Sequence, residues 1–222
     1  MMTTLTTAPV APLLEQLFAQ ARGESPLSEP TLAAVPEEER RRMMRSKTDY
    51  RALYARLKDY ALPVSQEMGQ LLYMLARAVR AEHVVEFGTS FGLSTIHLAS
   101  ALRDGGGGRL ITSEFEPDKV AVARDNLTAA GLLDLVELRE GDALETLATD
   151  LPERIDLVLL DGAKALYDDV LDLLERRLRP GAVIVADNAD YAPDYLARVR
   201  APASGYLSMP LGDDVELSVR VG

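Results

Sequence analysis

The sequence predicts an α/β fold: a doubly wound, mostly parallel seven-stranded sheet ending in an antiparallel hairpin, preceded by extra N-terminal helices. Three observations carry this expectation. From residue 84 onward, short apolar runs recur at 84–87, 109–113, 135–138, 155–160 and 182–186. They lack alternation, which suits strands buried on both faces of a parallel sheet. Helical stretches at 94–102, 117–130, 143–149 and 167–178 separate them, and strand–helix alternation is the pattern of a doubly wound sheet. The chain then closes with runs near 206–209 and 215–221. The last of these alternates, with Val215, Leu217, Val219 and Val221 on one side and Glu216, Ser218 and Arg220 on the other. That alternation fits a half-exposed antiparallel hairpin.

Before the first strand, Leu13, Leu14, Leu17 and Phe18 recur at helical spacing, and a break follows through Gly23, Pro26 and Pro30. Pro36 and Glu37 to Glu39 open a second helix that the pattern carries through Leu53, Tyr54 and Leu57 to Tyr60. A third helix, 69–79, leads into the first strand. Gly105 to Gly108 makes a turn, and Gly131 and Gly181 sit where helices should stop. No repeat or low-complexity linker interrupts the pattern. The simplest organisation is a helical extension or lid over 1–60 and one domain over 61–222, with the extension also a candidate homodimer contact.

A chain of 222 residues can bury such a sheet without staples, and the lack of cysteine excludes disulfides and thiolate chemistry. A formal net charge of −11 argues against a nucleic-acid partner. The one basic cluster, Arg40 to Arg42 with Arg45 and Lys47, follows three glutamates and reads as a solvated helix face. The first basic residue is Arg22, so the N-terminus lacks the positive start of a secretory signal. No run approaches the roughly 18 apolar residues of a membrane span. These features predict a cytoplasmic protein with no membrane partner.

The segment Glu86-Phe87-Gly88-Thr89-Ser90-Phe91-Gly92 passes from strand to helix through two glycines. Gly88 permits a tight turn and close approach of a ligand, and the helix N-terminus beyond favours an anionic group. Ser90 occupies the position where a nicotinamide-binding loop carries its middle glycine, which disfavours a pyrophosphate. A cofactor with a single carboxylate fits better, with Ser94 available to hydrogen-bond it. Glu114 ends the second strand, where an acid can accept both hydroxyls of a ribose. Gly141-Asp142 follows the third, where a carboxylate can accept an adenine amino group.

These residues resemble the class I methyltransferases that use S-adenosylmethionine, and among them the metal-dependent catechol and caffeoyl-CoA O-methyltransferases, closer to the catechol type. The resemblance covers roughly residues 60 to 221. It rests on Leu62-Pro63-Val64-Ser65 with Gly69-Gln70, Glu86-Phe87-Gly88, Ser94, Glu114 with Pro117-Asp118, Gly141-Asp142-Ala143, Asp161 with Lys164, and Asp187-Asn188. It implies that Val64 and Ser94 lie near the methionine moiety, Glu114 holds the ribose and Asp142 and Ala143 border the adenine. Glu86, Gly88 and Asp161 belong to the same cofactor set.

In that topology the strands ending at Asp161 and at Asp187-Asn188 are parallel neighbours, about 5 Å apart. Their ends gather Asp161, Asp187 and Asn188 around one point. An all-oxygen set without His or Cys suits a hard divalent cation, magnesium first, with calcium or manganese as alternatives. Lys164 faces the same pocket as the candidate base, and to act near neutrality its pKa must be depressed, which a nearby dication would do. The resemblance implies methyl transfer to a hydroxyl of a small aromatic or vicinal diol. The family's catechol enzymes carry a Trp between the first metal Asp and the Lys; here Ala163 stands there and Trp is absent. Tyr60, Tyr191 and Tyr195 are candidate aromatic walls instead, and Ser208 stands in place of an acidic ligand of the animal enzymes. The short connection from Asn188 to Tyr206 makes a CoA ester the less suitable acceptor. His83 and His97 read as structural. The alternatives are a caffeoyl-CoA type enzyme, a nicotinamide oxidoreductase, a methyltransferase acting on a nitrogen or a protein, and a cofactor-binding interaction protein without turnover.

Overall fold

The apolar runs pair into one sheet in the computed structural model, which describes residues 2–23, 35–212 and 214–222. Its strands are β1 (His83–Phe87), β2 (Arg109–Glu114), β3 (Val136–Glu140), β4 (Ile155–Leu160), β5 (Leu178–Ala186), β6 (Tyr206–Leu211) and β7 (Val215–Arg220). The order is β3-β2-β1-β4-β5-β7-β6. β1 to β5 run parallel, and β7 joins β5 and β6 antiparallel. The α/β class, the seven strands and the terminal hairpin therefore stand as expected.

Two apolar layers flank the sheet, and β4 divides its side chains between them. Val158 and Leu160 join Phe87, Tyr167, Leu171 and Tyr195 on one side. Leu157 and Leu159 join Val84, Leu72, Ile96 and Leu98 on the other. All six residues of β4 are buried, which is why its run shows no alternation. The first layer is covered by α7 (Ala143–Thr146), α8 (Tyr167–Leu174) and α9 (Pro193–Arg200), the second by α4 (Gln66–Ala78), α5 (Leu93–Gly105) and α6 (Pro117–Ala129). His97 is buried within α5, its Nδ1 2.8 Å from the Leu93 carbonyl.

The N-terminal 60 residues do not behave as one appended unit. Val10, Leu14, Leu17 and Phe18 of α1 (Val10–Gly23) are buried in the second layer, so α1 is part of the core. The expected helix from Pro36 to Tyr60 divides into α2 (Glu37–Met44) and α3 (Tyr50–Arg56). Between them the Ser46 hydroxyl accepts from the Thr48 and Asp49 amides at 3.3 and 3.0 Å. Such local side-chain bonds compete with helix continuation. Pro26 and Pro30 lie outside the described residues. Among the described residues, no helix is long and apolar enough to cross a membrane.

Two further expectations are corrected. Gly181 does not stop a helix: α8 ends at Leu174, and Gly181 lies inside β5 with φ +79°. There the β4–β5 register jumps from Ile155↔Leu178 to Leu157↔Val183, a bulge that Gly181 makes conformationally possible. The polar face of β7 is not solvated either. Glu216 is 1% exposed and Ser218 fully buried, because Arg200 of α9 and Ser208 of β6 both donate to the Glu216 carboxylate.

Candidate active site

The parallel strands end in register, and the chain uses those ends to place its acids. The Asp161 amide donates to the Phe87 carbonyl at 2.8 Å, and the Asp187 amide to the Leu160 carbonyl at 2.9 Å. One ladder step beyond β1, β4 and β5 thus brings Gly88, Asp161 and Asp187 to one edge of the sheet. Gly88 has φ +101°, and a Cβ there would lie 2.6 Å from the Asp161 carbonyl carbon and oxygen. The expected reason for this glycine was room for a ligand; the geometry adds the close approach of two strand ends.

A cleft of about 670 Å³, solvent at its mouth included, opens above β1 and β2. Gly88, Glu114, Asp142, Ala143 and Asp161 line it, as the sequence led one to expect. Glu114 is fixed by backbone donors: Ser90 N–H at 2.7 Å on Oε2 and Glu116 N–H at 3.0 Å on Oε1. Asp142 caps α7 through the Leu144 amide at 2.9 Å, and its other oxygen accepts from Arg51 of α3. Arg51 also lies over the Phe115 ring, 5.7 Å from its centre. Tyr50 and Tyr54 of α3 join this lining.

Glu86, Ser94 and Val64 are not among the lining residues. Glu86 is fully buried and accepts from the hydroxyls of Ser94, Thr95 and Thr112 at 2.6, 2.6 and 2.7 Å. Burial pushes its carboxyl up to about 7, although the three hydroxyl bonds oppose the shift. This network ties the first turn of α5 to β1 and β2 directly beneath the cleft. Val64 packs in the second apolar layer.

A second cleft is lined by Asp161, Lys164, Asp187, Asn188 and Tyr191, and across from the strand ends by residues of α1, α2 and α3. Tyr54, Leu62 and Asp161 line both clefts, so the two meet at Asp161. Lys164 Nζ lies 2.8 Å from Asp161 Oδ1 and 4.0 Å from Asp187 Oδ2. Tyr167 buttresses the turn by donating to the Asp187 carbonyl at 2.7 Å. Asn188 adopts the left-handed conformation (φ 48°), and its amide nitrogen donates to Asp214 at 3.1 Å. Its carboxamide oxygen has no hydrogen-bond partner among the described residues.

The electrostatics of this end decide whether it suits a cation. Burial, and then the Asp161 charge, raises the Asp187 pKa, so these two carboxylates compete for stabilisation by positive charge. Burial opposes the Lys164 ammonium, yet the charge of Asp161, with Tyr167, Tyr54 and Asp187, holds its pKa well above the ordinary value. The depressed lysine expected from the sequence is therefore not a property of the protein's own charges. A dication beside Asp161, Asp187 and the free Asn188 oxygen would relieve the carboxylate repulsion and reverse the field on Lys164. The donor types, two carboxylates and a carboxamide oxygen, suit a hard cation, while no group of three or more His, Cys, Asp or Glu side chains that could hold a metal occurs among the described residues.

The substrate walls differ from the sequence expectation. Tyr191 lines the second cleft, but Tyr195 is fully buried against Tyr167 and Tyr60 packs beside Leu53 and Leu57. Tyr54 lines both clefts; its i, i+4 spacing from Tyr50 on one helix face was the available signal. Ser208 donates to Glu216 on the far hairpin at 2.5 Å and is absent from both linings. The basic run is not wholly a solvated face, since Arg40 and Arg41 line the second cleft.

Comparison with known proteins agrees with this geometry. A family described as a methyltransferase domain matches residues 85–189. The chain is 39% identical over 131 residues to a catechol O-methyltransferase of Niastella koreensis, a match covering 58% of each protein. The curated relatives of this kind are thus spanned over little more than half their length. It is 34% identical over 152 residues to the catechol O-methyltransferase of Sus scrofa, covering 64% of this chain and 80% of that one. Among solved structures it resembles the O-methyltransferase TomG of Streptomyces achromogenes, involved in tomaymycin synthesis and solved with S-adenosylmethionine. That likeness has 27% identity and a TM-score of 0.66, covering 85% of this chain and 92% of TomG.

Proposed function

The chain belongs to the catechol O-methyltransferase family, and from that premise we propose that it moves a methyl group from S-adenosylmethionine to one hydroxyl of a small vicinal diol held with a divalent cation. The observation that carries this reading is the meeting of the two clefts at Asp161, beside Lys164. A donor in one cleft and an acceptor in the other would face each other across that carboxylate.

When bound, S-adenosylmethionine supplies a sulfonium methyl, and the cation supplies Lewis acidity towards two neighbouring oxygens. The rest is the work of the chain. Glu114, oriented by the Ser90 and Glu116 amides, accepts the ribose hydroxyls. Asp142 and Ala143 border the adenine, and the α5 N-terminus at Ser94 favours the methionine carboxylate. Val64 and Glu86 support this site from the packed layer beneath it. Asp161, Asp187 and Asn188 would hold the cation through their oxygens. Lys164 in its amine form takes the proton from the acceptor hydroxyl; the carboxylates that oppose the amine are the same ones a cation would neutralise. Tyr54 lines both clefts, and the Arg51–Asp142 pair ties α3 to the first of them. We read α2 and α3 as the lid of a methyltransferase domain formed by 61–222 together with α1. Catalysis on this account is positioning plus electrostatic stabilisation of the oxyanion.

The test is transfer of labelled methyl from S-adenosylmethionine to a panel of catechols and aliphatic diols with magnesium present. Product at one hydroxyl of a vicinal diol supports the reading; labelling of mono-hydroxy analogues at equal rate would count against it.

A further inference from the structure

The wall that α1 and α2 give to the acceptor cleft has an unexpected charge. Among the described residues its ionic side chains are Arg22, Arg40 and Arg41, against Glu37. The chain as a whole carries a net charge of −11, so three cations to one acid runs against its composition. The remaining charged residues of the cleft are Asp161, Lys164 and Asp187, which belong to the chemistry at the strand ends.

Arg41 is held at the site by docking of α2 on the acid-bearing turn. Arg41 lies over the Tyr191 ring, 5.9 Å from its centre, and Arg45 donates to the Asp190 carbonyl at 3.1 Å. Both contacts fall within four residues of Asp187. The Arg41–Glu37 pair is 2.9 Å long but has half or more of each side chain exposed. An exposed i, i+4 pair of this kind is worth little and exchanges readily for another carboxylate. Arg22, in the last turn of α1, has no ion-pair or hydrogen-bond partner among the described residues.

We propose that the acceptor carries a carboxylate, held by Arg22 and Arg41, while its hydroxyls face Asp161 and Lys164. The planar guanidinium fork matches a carboxylate in a two-bonded geometry, which an ammonium cannot copy. The cleft, about 1600 Å³ with open solvent included, leaves room for an acceptor longer than a bare ring. This inference rests on the O-methyl-transfer reading for the orientation of the hydroxyls, but its own content is the charge of the ligand.

The experiment compares 3,4-dihydroxybenzoate and 3,4-dihydroxycinnamate with their methyl esters, in magnesium, by calorimetric binding and by kcat/KM. The acids are expected to bind, and to turn over, about tenfold better than the esters, the size of one charge-assisted contact. Substituting Arg22→Gln and Arg41→Gln together should bring the acid-to-ester ratio to within about twofold. Esters that match the acids, or a preference that survives both substitutions, overturn the proposal. So does a coenzyme A thioester that outcompetes the free acid, since the anion would then be a phosphate. Failure of methyl transfer to acids and esters alike would instead remove the parent reading, while the binding preference decides the carboxylate separately.

Discussion

Lys164 Nζ lies 2.8 Å from Asp161 Oδ1 while the lysine side chain is almost wholly withdrawn from water. A buried ammonium so placed offsets one of the two carboxylate charges of Asp161 and Asp187, and the same contact puts Lys164 where the two clefts join.

Lys164→Ala should therefore separate chemistry from cofactor binding. Turnover is expected to fall by about 10²- to 10⁴-fold, the range for loss of a general base. The dissociation constant for S-adenosylmethionine should move by no more than about threefold. Single-turnover rates and calorimetry read the two quantities. Comparable losses in both would make Lys164 a structural counter-ion.

Gly88→Ala attacks the junction of β1 and β4. A methyl 2.6 Å from the Asp161 backbone, at φ +101°, must move one strand end. Backbone strain and overpacking of this kind together cost about 3 kcal/mol. For a chain of this length that lowers Tm by about 6–12 °C. An unchanged melting temperature would show that the junction yields freely.

Glu86 gives a pH signature. Its folded pKa of about 7 lies above the ordinary 4.5 because of burial. Between those values the folded protein keeps a proton that the unfolded chain has lost. Stability from this group is thus fullest below 4.5, declines as pH rises towards 7 and levels off above it. The decline amounts to about 3 kcal/mol. Glu86→Gln cannot titrate, so urea unfolding at pH 5 and pH 8 should show a difference smaller than wild type by about that amount. Parallel pH dependence in the two proteins would mean that Glu86 ionises freely in the fold.

Much of this architecture was legible because parallel strands buried on both faces leave continuous apolar runs. Ile155 to Leu160 and Ala182 to Ala186 announce themselves, and the acids that follow them are placed by the ladder alone. What escaped depends on contacts far apart in sequence. The burial of Glu216 requires Arg200 and Ser208 on neighbouring elements, so an alternating strand looked half-solvated. Tyr54 and Arg41 reach the clefts only because α2 and α3 fold back over strand ends more than a hundred residues later. The bond from the Ser94 hydroxyl to Glu86 was hidden too, because nothing in the local sequence reveals that the strand acid accepts it. The charge on Lys164 depends on what occupies the oxygen cage beside it, and a sequence names the cage without its field.

On the proposed reading, Asp161, Asp187 and Asn188 hold a divalent cation required for methyl transfer. Protein stripped with EDTA, supplied with labelled S-adenosylmethionine and a catechol, and then titrated with magnesium examines it directly. Transfer should be absent before magnesium, return on its addition, and need more than about tenfold higher magnesium in Asp187→Asn, as loss of a charged ligand requires. Undiminished transfer in EDTA, or an Asp187→Asn variant with an unaltered magnesium requirement, would contradict it.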